Sequence, residues 1–485
     1  MAFRSNIFLA LSLLLSIYFN LSATAAEFNS YDDAKFESFL EQYKADPGLL
    51  RKQPEIIKSL NGQQLATAIE SLELDHYGYL HPVVIKGAEL PTLLGHPLDQ
   101  ISIASVRSGK LTIVSSQIDE LDKNGWVYIK EKSAADIDGA ENSLDANDEL
   151  VFMYRDTGTE PYDQASMPTP TSGTIHSELA FTDANGLKRF AYVMLGAATS
   201  EVTDYVDFDL AAGQADTTFY NFKVDPKNVL DFQDFKANVG DWQDHRILDA
   251  VLFQINSGVF TKWTTINLNN FDNFKAIPIG VKDGNIRAAV LLEIWVKYGG
   301  IPLMRIFGQL NIYDQSLGIP LSIQIPAGEI LAKTLVNPEI EFILDFNNYQ
   351  GARVSAAGVS PEKFGIVDGK MSDMEKAATL SRDEPWLWME SGHGWDIFAT
   401  CVLPEDWNAK LNISYEDSSR KLPNETFPGA YPRAGFNISE LPKDALNIVL
   451  NIDMRFPDTV GSKGPHEFAK LVAKPPTVEI KTMAE

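Results

Sequence analysis

The densest run of side chains that could bind a metal ion is DIDGAENSLDANDEL, residues 136–150. Calcium binds about six to eight oxygen atoms at short range, and a loop rich in Asp and Asn supplies them. We therefore expect a calcium site with these ligands: Asp136, Asp138, Asn142, Asp145, Asn147 and Asp148. The order departs from the EF-hand pattern, because Asn147 stands where that pattern has a Glu. The alternative is a solvated acidic turn, since Asp and Asn also favour turns.

A second concentration of functional side chains is DEPWLWMESGHGWDIF, residues 383–398. Trp386 and Trp388 are two residues apart, so both side chains lie on one side of a strand. Indole rings offer a large apolar face on which sugar C–H groups stack, while carboxylates accept hydrogen bonds from hydroxyls. The segment predicts a glycan-binding face of Trp386, Trp388 and Trp395, with His393 on an accessible turn. The alternative is a tryptophan pair buried in the core.

The strands RAAVLLEIWVKYG and IPLMRIFGQLNIYD suggest a third candidate, Arg305. A two-residue turn at Gly299-Gly300 would pair Ile294 with Arg305 and place the arginine among apolar neighbours. A charge in that position either contacts a ligand or is displaced by a β-bulge or a different register.

The sequence contains no complete catalytic motif. A polysaccharide lyase needs a cation or an arginine to neutralise a uronate and a Tyr or His as base. Arg305, Tyr313 and His245 could supply these groups, although nothing in the sequence brings them together. A polysaccharide-active enzyme, either a lyase or a hydrolase, is therefore the alternative to a binding protein.

The sequence around these candidate residues predicts a chain that is mostly β-strand. Period-two alternation in LNIVLNIDMRF, IPLSIQIPA and KLNISYED predicts half-buried strands, with frequent Gly-containing turns between them. We expect a mainly β fold of antiparallel sheets or sandwiches. A small helical region over 27–75 should bury Phe36, Phe39, Leu40 and Tyr43 on one face. A β-rich body over 76–385, split near 158–174, and a C-terminal β-sandwich over 386–485 should follow.

The N-terminus has the features of an export signal. Arg4, an apolar stretch and Ala23-Thr24-Ala25 predict a signal peptide over 1–26, cleaved after Ala25 or Ala26. No later stretch predicts a transmembrane segment. The single cysteine, Cys401, excludes an internal disulfide. We expect a periplasmic or extracellular location.

The charge of the 485-residue chain limits the classes of molecule that it can bind. It has 41 Lys and Arg against 66 Asp and Glu, a formal net charge of −25. Nucleic acids and anionic membrane surfaces are therefore disfavoured.

The runs QIDELDKNGW (117–126) and LDANDELVFMYRDTG (144–158) resemble a pattern in secreted β-rich bacterial proteins of no assigned activity. The resemblance implies an exported protein of a Gram-negative bacterium and carries no active site. The favoured function is a calcium-stabilised binding protein with a glycan ligand. Besides the enzyme, a structural component of a cell-surface assembly is an alternative.

Overall fold

The computed structural model describes residues 33–45 and 82–483, together with Gln64 and Thr67, outside gaps at 171, 185, 198–201, 239–244, 299–300, 325–334, 348, 394, 406, 419–431, 442–446 and 457–463. The fold is mainly β, and all paired strands in the described residues are antiparallel, as predicted. The predicted signal peptide lies outside the described residues. The described helices are α1 (Asp33–Ala45), α2 (Asp373–Lys376) and α3 (Pro465–Ala473).

The strands follow the alternation of apolar residues along the sequence. The first thirteen are β1 (Pro82–Lys86), β2 (Ile101–Arg107), β3 (Lys110–Val114), β4 (Ser116–Asp119), β5 (Glu149–Met153), β6 (Thr174–Thr182), β7 (Lys188–Leu195), β8 (Val206–Asp209), β9 (Gln214–Thr217), β10 (Tyr220–Asp225), β11 (Asn228–Ala237), β12 (Leu248–Val259) and β13 (Thr261–Asn269). The others are β14 (Phe274–Asp283), β15 (Arg287–Tyr298), β16 (Ile301–Tyr313), β17 (Ser316–Gln324), β18 (Leu335–Phe346), β19 (Arg353–Ala356), β20 (Gly365–Ile366), β21 (Trp386–Glu390), β22 (Asp396–Val402), β23 (Lys410–Glu416), β24 (Arg433–Ser439), β25 (Asn447–Arg455) and β26 (Thr477–Thr482).

Helix α1 packs on the core as its sequence predicts. Phe39 and Tyr43 are buried, and Phe36 and Leu40 pack beside them. These positions recur at three- and four-residue spacing, which places them on one helical face. Apart from Gln64 and Thr67, the rest of the predicted helical region lies outside the described residues.

A first sandwich consists of the sheets β1–β5–β4 and β26–β6–β7–β2–β3. Phe152 of one sheet and Phe181 of the other meet edge to face, with ring centroids 6.1 Å apart. The predicted division near 158–174 is wrong, because this segment joins β5 to β6 within the first sandwich. Tyr162, from the same segment, packs against Tyr192 of β7.

The larger body contains the sheets β11–β10–β9–β8, β13–β12–β18–β24–β23 and β14–β15–β16–β17–β25–β22–β21–β19–β20. The five-stranded and nine-stranded sheets meet at Phe253 and Phe274, whose ring centroids are 5.4 Å apart. The four-stranded sheet joins the same core through Phe235, 6.2 Å from Trp395.

The predicted separate C-terminal sandwich over 386–485 is also wrong. Strands β21, β22 and β25 belong to the nine-stranded sheet, and β23 and β24 belong to the five-stranded sheet. The last strand, β26, returns to pair with β6 of the first sandwich. Strands β21, β24, β25 and β26 therefore each pair with a strand from an earlier part of the chain, which period-two alternation cannot reveal. None of the described helices is long and apolar enough to span a membrane.

Candidate functional site

The acidic loop is the connection over 120–148 between β4 and β5. The strands close its base, where Asp119 pairs with Glu149. Within the loop, Leu121 forms a bridge with Val127, and the Asp138 amide donates to the Leu121 carbonyl at 2.9 Å. The chain therefore folds back on itself and brings acidic side chains from its two halves together.

Asp145 and Asp148 form the centre of this loop. Asp148 is fully buried, and its Oδ2 accepts a hydrogen bond from the Asp145 amide at 2.8 Å. Asp145 Oδ1 in turn accepts from the Asn147 amide at 2.9 Å. Asp148 Oδ1 and Asp145 Oδ2 are buried without a hydrogen-bond partner in the described residues. Burial, together with the charges of Asp145 and Glu120, raises the pKa of Asp148 to about 6.

The Asp145 carboxylate lies against Gly139, which has a φ of +125°. A Cβ at that glycine would overlap Asp145 Oδ2, at 1.6 Å, so only glycine allows this approach. Two buried carboxylate oxygens thus lack the partner that buried charges normally have.

The predicted ligands are only partly brought together. Asn147 Nδ2 donates to Asp138 Oδ2 at 2.5 Å, which places both beside Asp145 and Asp148. Asp136 instead faces Lys123 at 3.4 Å on the surface. The exposed Asn142 has a φ of +65°, and its backbone amide donates to Glu120, which sequence reasoning missed.

In the part of the chain that is described, no group of three or more His, Cys, Asp or Glu side chains is arranged to hold a metal ion. A calcium ion here would complete its coordination with Asn147 or with main-chain carbonyls, the other oxygen ligands that calcium accepts.

The expected exposed face at Trp386 and Trp388 is wrong. Both indoles lie on the same side of β21, as predicted, but they are only 4% and 3% exposed. Helix α3 covers this side, since His466 lies 4.8 Å from Trp386 and Phe468 lies 5.0 Å from Phe398 between ring centroids. The core alternative therefore holds for both tryptophans.

The other two candidates in that segment, Trp395 and His393, differ in their exposure to solvent. Trp395 is fully buried, and its Nε1 donates to the Phe219 carbonyl at 3.2 Å. His393 is exposed, on the turn between β21 and β22. The three indoles of this segment are all buried, so they form no exposed stacking face for a sugar beside His393.

Arg305 lies on the solvent side of the nine-stranded sheet. It pairs with Trp295 rather than with Ile294, because the register shifts between Val296 and Lys297. Its side chain is 49% exposed and forms an ion pair with Glu293. The expected pairing is wrong by one residue, and the bulge alternative is confirmed.

Arg305 belongs to a block of four side chains, which we call the Arg305 face: Glu293, Trp295, Arg305 and Phe307. The guanidinium carbon lies 5.4 Å from the Trp295 ring centroid and 4.7 Å from that of Phe307. Both rings are half-buried, and Lys275 of β14 is exposed directly beside Trp295. Sequence reasoning missed Glu293, Trp295 and Phe307. Alternation places Glu293 and Trp295 on the opposite side of β15 from Ile294, and the observed pairing of β16 adds Phe307 to that side.

The acidic loop borders this face. Val127 donates to and accepts from the Gln309 side chain, both at 3.2 Å, and Gln309 is two residues from Phe307 on the same side of β16. A Cβ on Gly280 of β14 would lie 3.0 Å from Lys132 and 3.1 Å from Ile129. The loop therefore rests directly on the outer side of this sheet.

The three residues proposed for a lyase do not form one site. Arg305 and Tyr313 are eight residues apart on β16, about 26 Å in an extended strand. His245 is exposed ahead of β12. The Tyr313 hydroxyl accepts from Arg287 Nη1 at 3.1 Å. Burial raises the pKa of Tyr313, although the Arg287 charge opposes the rise, so the phenol stays protonated.

Arg287 instead fastens the base of the acidic loop to the sheet. Its Nε donates to Asp119 at 2.8 Å and its Nη2 donates to Glu149 at 2.8 Å. Lys282 Nζ lies 3.0 Å from Asp119 Oδ1. Asp119 and Glu149 stand at the two ends of the acidic loop. Arg287 and Lys282 therefore have a structural role, because they hold these ends against the sheet.

Comparison with protein-family models finds no match, and comparison with curated proteins finds none either. An α-mannosidase from Enterococcus faecalis V583 is similar at 9% identity over 87% of this chain and 49% of its own, with a TM-score of 0.36. An α-N-acetylgalactosaminidase from Bifidobacterium bifidum matches at 11% identity over 50% of this chain and 35% of its own, with a TM-score of 0.31. A heparan sulfate lyase from Pedobacter heparinus matches at 11% identity over 55% and 38%, with a TM-score of 0.30. The chain thus matches less than half the length of each enzyme, and likeness this low does not transfer an activity.

Proposed function

We propose that the chain is an exported, calcium-stabilised glycan-binding protein whose sugar-contacting surface is the Arg305 face. The observation that supports this most is the placement of two half-buried aromatic rings, Trp295 and Phe307, beside Arg305 and Glu293 on the solvent side of a sheet. Export rests on the predicted signal peptide.

The chemistry of the four side chains suits a sugar. Trp295 and Phe307 supply apolar rings for C–H groups, Arg305 donates hydrogen bonds, and Glu293 accepts them. Lys275 and Arg305 place two cations beside Glu293 on this face, on a chain of net charge −25. A glycan that carries carboxylate or sulfate groups would therefore bind here better than elsewhere on the surface.

Calcium has a stabilising role in this proposal. Among the described residues, no cation pairs with the buried oxygens of Asp145 and Asp148, and an ion between them would supply the counter-charge. Because the loop rests on β14 and contacts Gln309, an ordered loop keeps the border of the Arg305 face in place. Calcium would thus act on glycan binding through the loop and not through contact with the sugar.

Electrophoresis through gels that contain soluble polysaccharides tests the proposal. The wild-type chain should be retarded by at least one polysaccharide, with an acidic one preferred, at an affinity on the order of micromolar to millimolar. Arg305→Ala should abolish the retardation. Lys262→Ala, which removes an exposed cation at the tip of the β12–β13 hairpin, is the matched control and should leave it unchanged. Equal retardation of both variants contradicts the proposed face, and cleavage of the retained polysaccharide supports the enzyme alternative.

A further inference from the structure

The outer side of the five-stranded sheet, a different sheet from that of the Arg305 face, carries a concentration of amide side chains. Five amides and one carboxylate form what we call the amide face: Gln254, Asn256, Asn267, Glu341, Asn412 and Asn437. They come from all five strands, and the strand pairing places them side by side. Phe253 and Phe342 are buried next to Gln254 and Glu341 in sequence, so the amide face points away from the core.

Hydrogen bonds join the side chains of the amide face to one another. Asn267 Nδ2 donates to Gln254 Oε1 at 3.0 Å and to Asn256 Oδ1 at 2.5 Å. Glu341 accepts from Gln254 Nε2 and, at 3.3 Å, from Asn437 Nδ2. These contacts show that the side chains converge on one side of the sheet, and they hold them in place before a ligand binds.

The amide face keeps hydrogen-bonding capacity for a ligand. All six side chains are exposed or half-buried, so solvent reaches them. A carboxamide has two N–H donors and a carbonyl acceptor. Within the described part of the chain, Gln254 and Asn437 each donate one hydrogen to Glu341, and Asn412 donates one to Ser439 Oγ at 3.3 Å. Each of these three amides therefore has a second hydrogen for a ligand.

The size and composition of the amide face narrow the class of ligand. Asn267 of β13 and Asn412 of β23 are four strand spacings apart, about 19 Å across the sheet. None of the six side chains is aromatic or aliphatic, whereas the buried centre of a protein–protein interface is mostly apolar. Glu341, and Glu339 opposite Asn256, would repel the phosphates of a nucleic acid. These features favour an extended ligand with many uncharged hydroxyl groups.

We propose that the amide face is a second ligand site, which binds an uncharged oligosaccharide. Its amide hydrogens donate to sugar hydroxyl oxygens, and Glu341 and the amide carbonyls accept from sugar hydroxyl hydrogens. A uronic acid or a sulfated sugar binds poorly, because its charge would lie beside Glu339 and Glu341. The site shares no residue with the Arg305 face and does not depend on that proposal.

Calorimetric titration of the full chain with maltohexaose, mannohexaose, xylohexaose and hexagalacturonate tests this site. At least one of the three uncharged hexasaccharides should bind with saturable heat, and about tenfold more tightly than its own disaccharide, which reaches only part of the face. The double variant Asn256→Ala and Asn267→Ala should weaken that binding about tenfold. Asn412→Ala, at an exposed position near the other edge, should also weaken it. Gln233→Ala, which removes an exposed amide from β11, is the matched control and should leave it unchanged.

Three results would overturn the proposal. The first is the absence of saturable heat with all three uncharged hexasaccharides. The second is unchanged affinity in both the double variant and Asn412→Ala. The third is tighter binding of hexagalacturonate that the double variant abolishes, which would assign a charged ligand to this face. Arg305→Ala separates the two sites, because it should leave binding of the uncharged hexasaccharide unchanged whether or not the Arg305 face binds polysaccharide.

Discussion

Val127 and Gln309 exchange two hydrogen bonds of 3.2 Å, which join the acidic loop to the outer side of the nine-stranded sheet. Gln309 is buried, so both bonds are shielded from water. Through them, the segment that carries the acidic residues is attached two residues from Phe307 of the Arg305 face. The side chain of Gln309 is therefore one direct link between the loop of the proposed calcium site and the strand of the proposed glycan site.

Removing that side chain gives the first prediction. Gln309→Ala leaves the amide and carbonyl of Val127 buried without partners, so it should lower the free energy of unfolding by about 1–3 kcal/mol. Urea denaturation measures the loss. Gln233→Ala, at an exposed position on β11, is the control and should change stability by less than about 0.5 kcal/mol. Equal stability of the two variants would contradict the claim that the hydrogen bonds of Gln309 hold Val127 of the acidic loop on the sheet.

The pH dependence of the calcium-free chain gives the second prediction. The pKa of Asp148 rises from 3.8 to about 6 on folding, mainly because of burial, so the folded state binds this proton more tightly. Stability from this group is therefore present at low pH and is lost as the pH rises from about 4 to about 6, by up to ~3 kcal/mol. Urea unfolding in chelator over this range measures it. Asp148→Asn should flatten the curve, and an unchanged curve contradicts the assignment.

Calcium itself gives the third prediction. The wild-type melting temperature should rise with calcium, and a concentration of 100 times Kd should add about 2.7 kcal/mol of stability. Replacing Asp145 and Asp148 with Asn should abolish the rise. Asp136→Asn is the control and should keep it, because Asp136 faces Lys123 at the surface. A rise that survives the double substitution places the ion elsewhere, and no rise in the wild type leaves the acidic-turn alternative.

The fold class could be predicted from the sequence because strand alternation is a local signal. Leu450, Ile452 and Met454 of β25 are buried, as their period of two predicts. The sheet that holds them could not be predicted, since β25 pairs with β17 and β22 and these pairings join distant parts of the chain. The expected C-terminal sandwich failed for this reason.

The candidate site was predictable only in part. Acidic residues close together in sequence placed Asp145 and Asp148 correctly in one loop. Trp386 and Trp388 looked like an open face because the helix that covers them, α3, comes about eighty residues later, well outside any local pattern. Arg305 was placed on the wrong side by one residue, because a bulge changes the register without a clear sequence signal.

The buried tryptophans give the fourth prediction. Trp388→Ala should lower the free energy of unfolding by about 3–5 kcal/mol, because it leaves a cavity beneath the covered face. Trp263→Ala, at a site that is 84% exposed, should change stability by less than about 0.5 kcal/mol. Chemical denaturation of both variants measures the difference. A small effect at Trp388 would mean that its ring is not part of the core.

The central claim is that the Arg305 face binds glycan, and Trp295→Ala tests it most directly. The measurement is calorimetric titration of wild type and variant with the polysaccharide that retards the wild type, alongside urea unfolding of both. We predict at least a tenfold loss of affinity with a stability change of about 1 kcal/mol, since Trp295 is only half-buried. An unchanged affinity in the folded variant would contradict the claim.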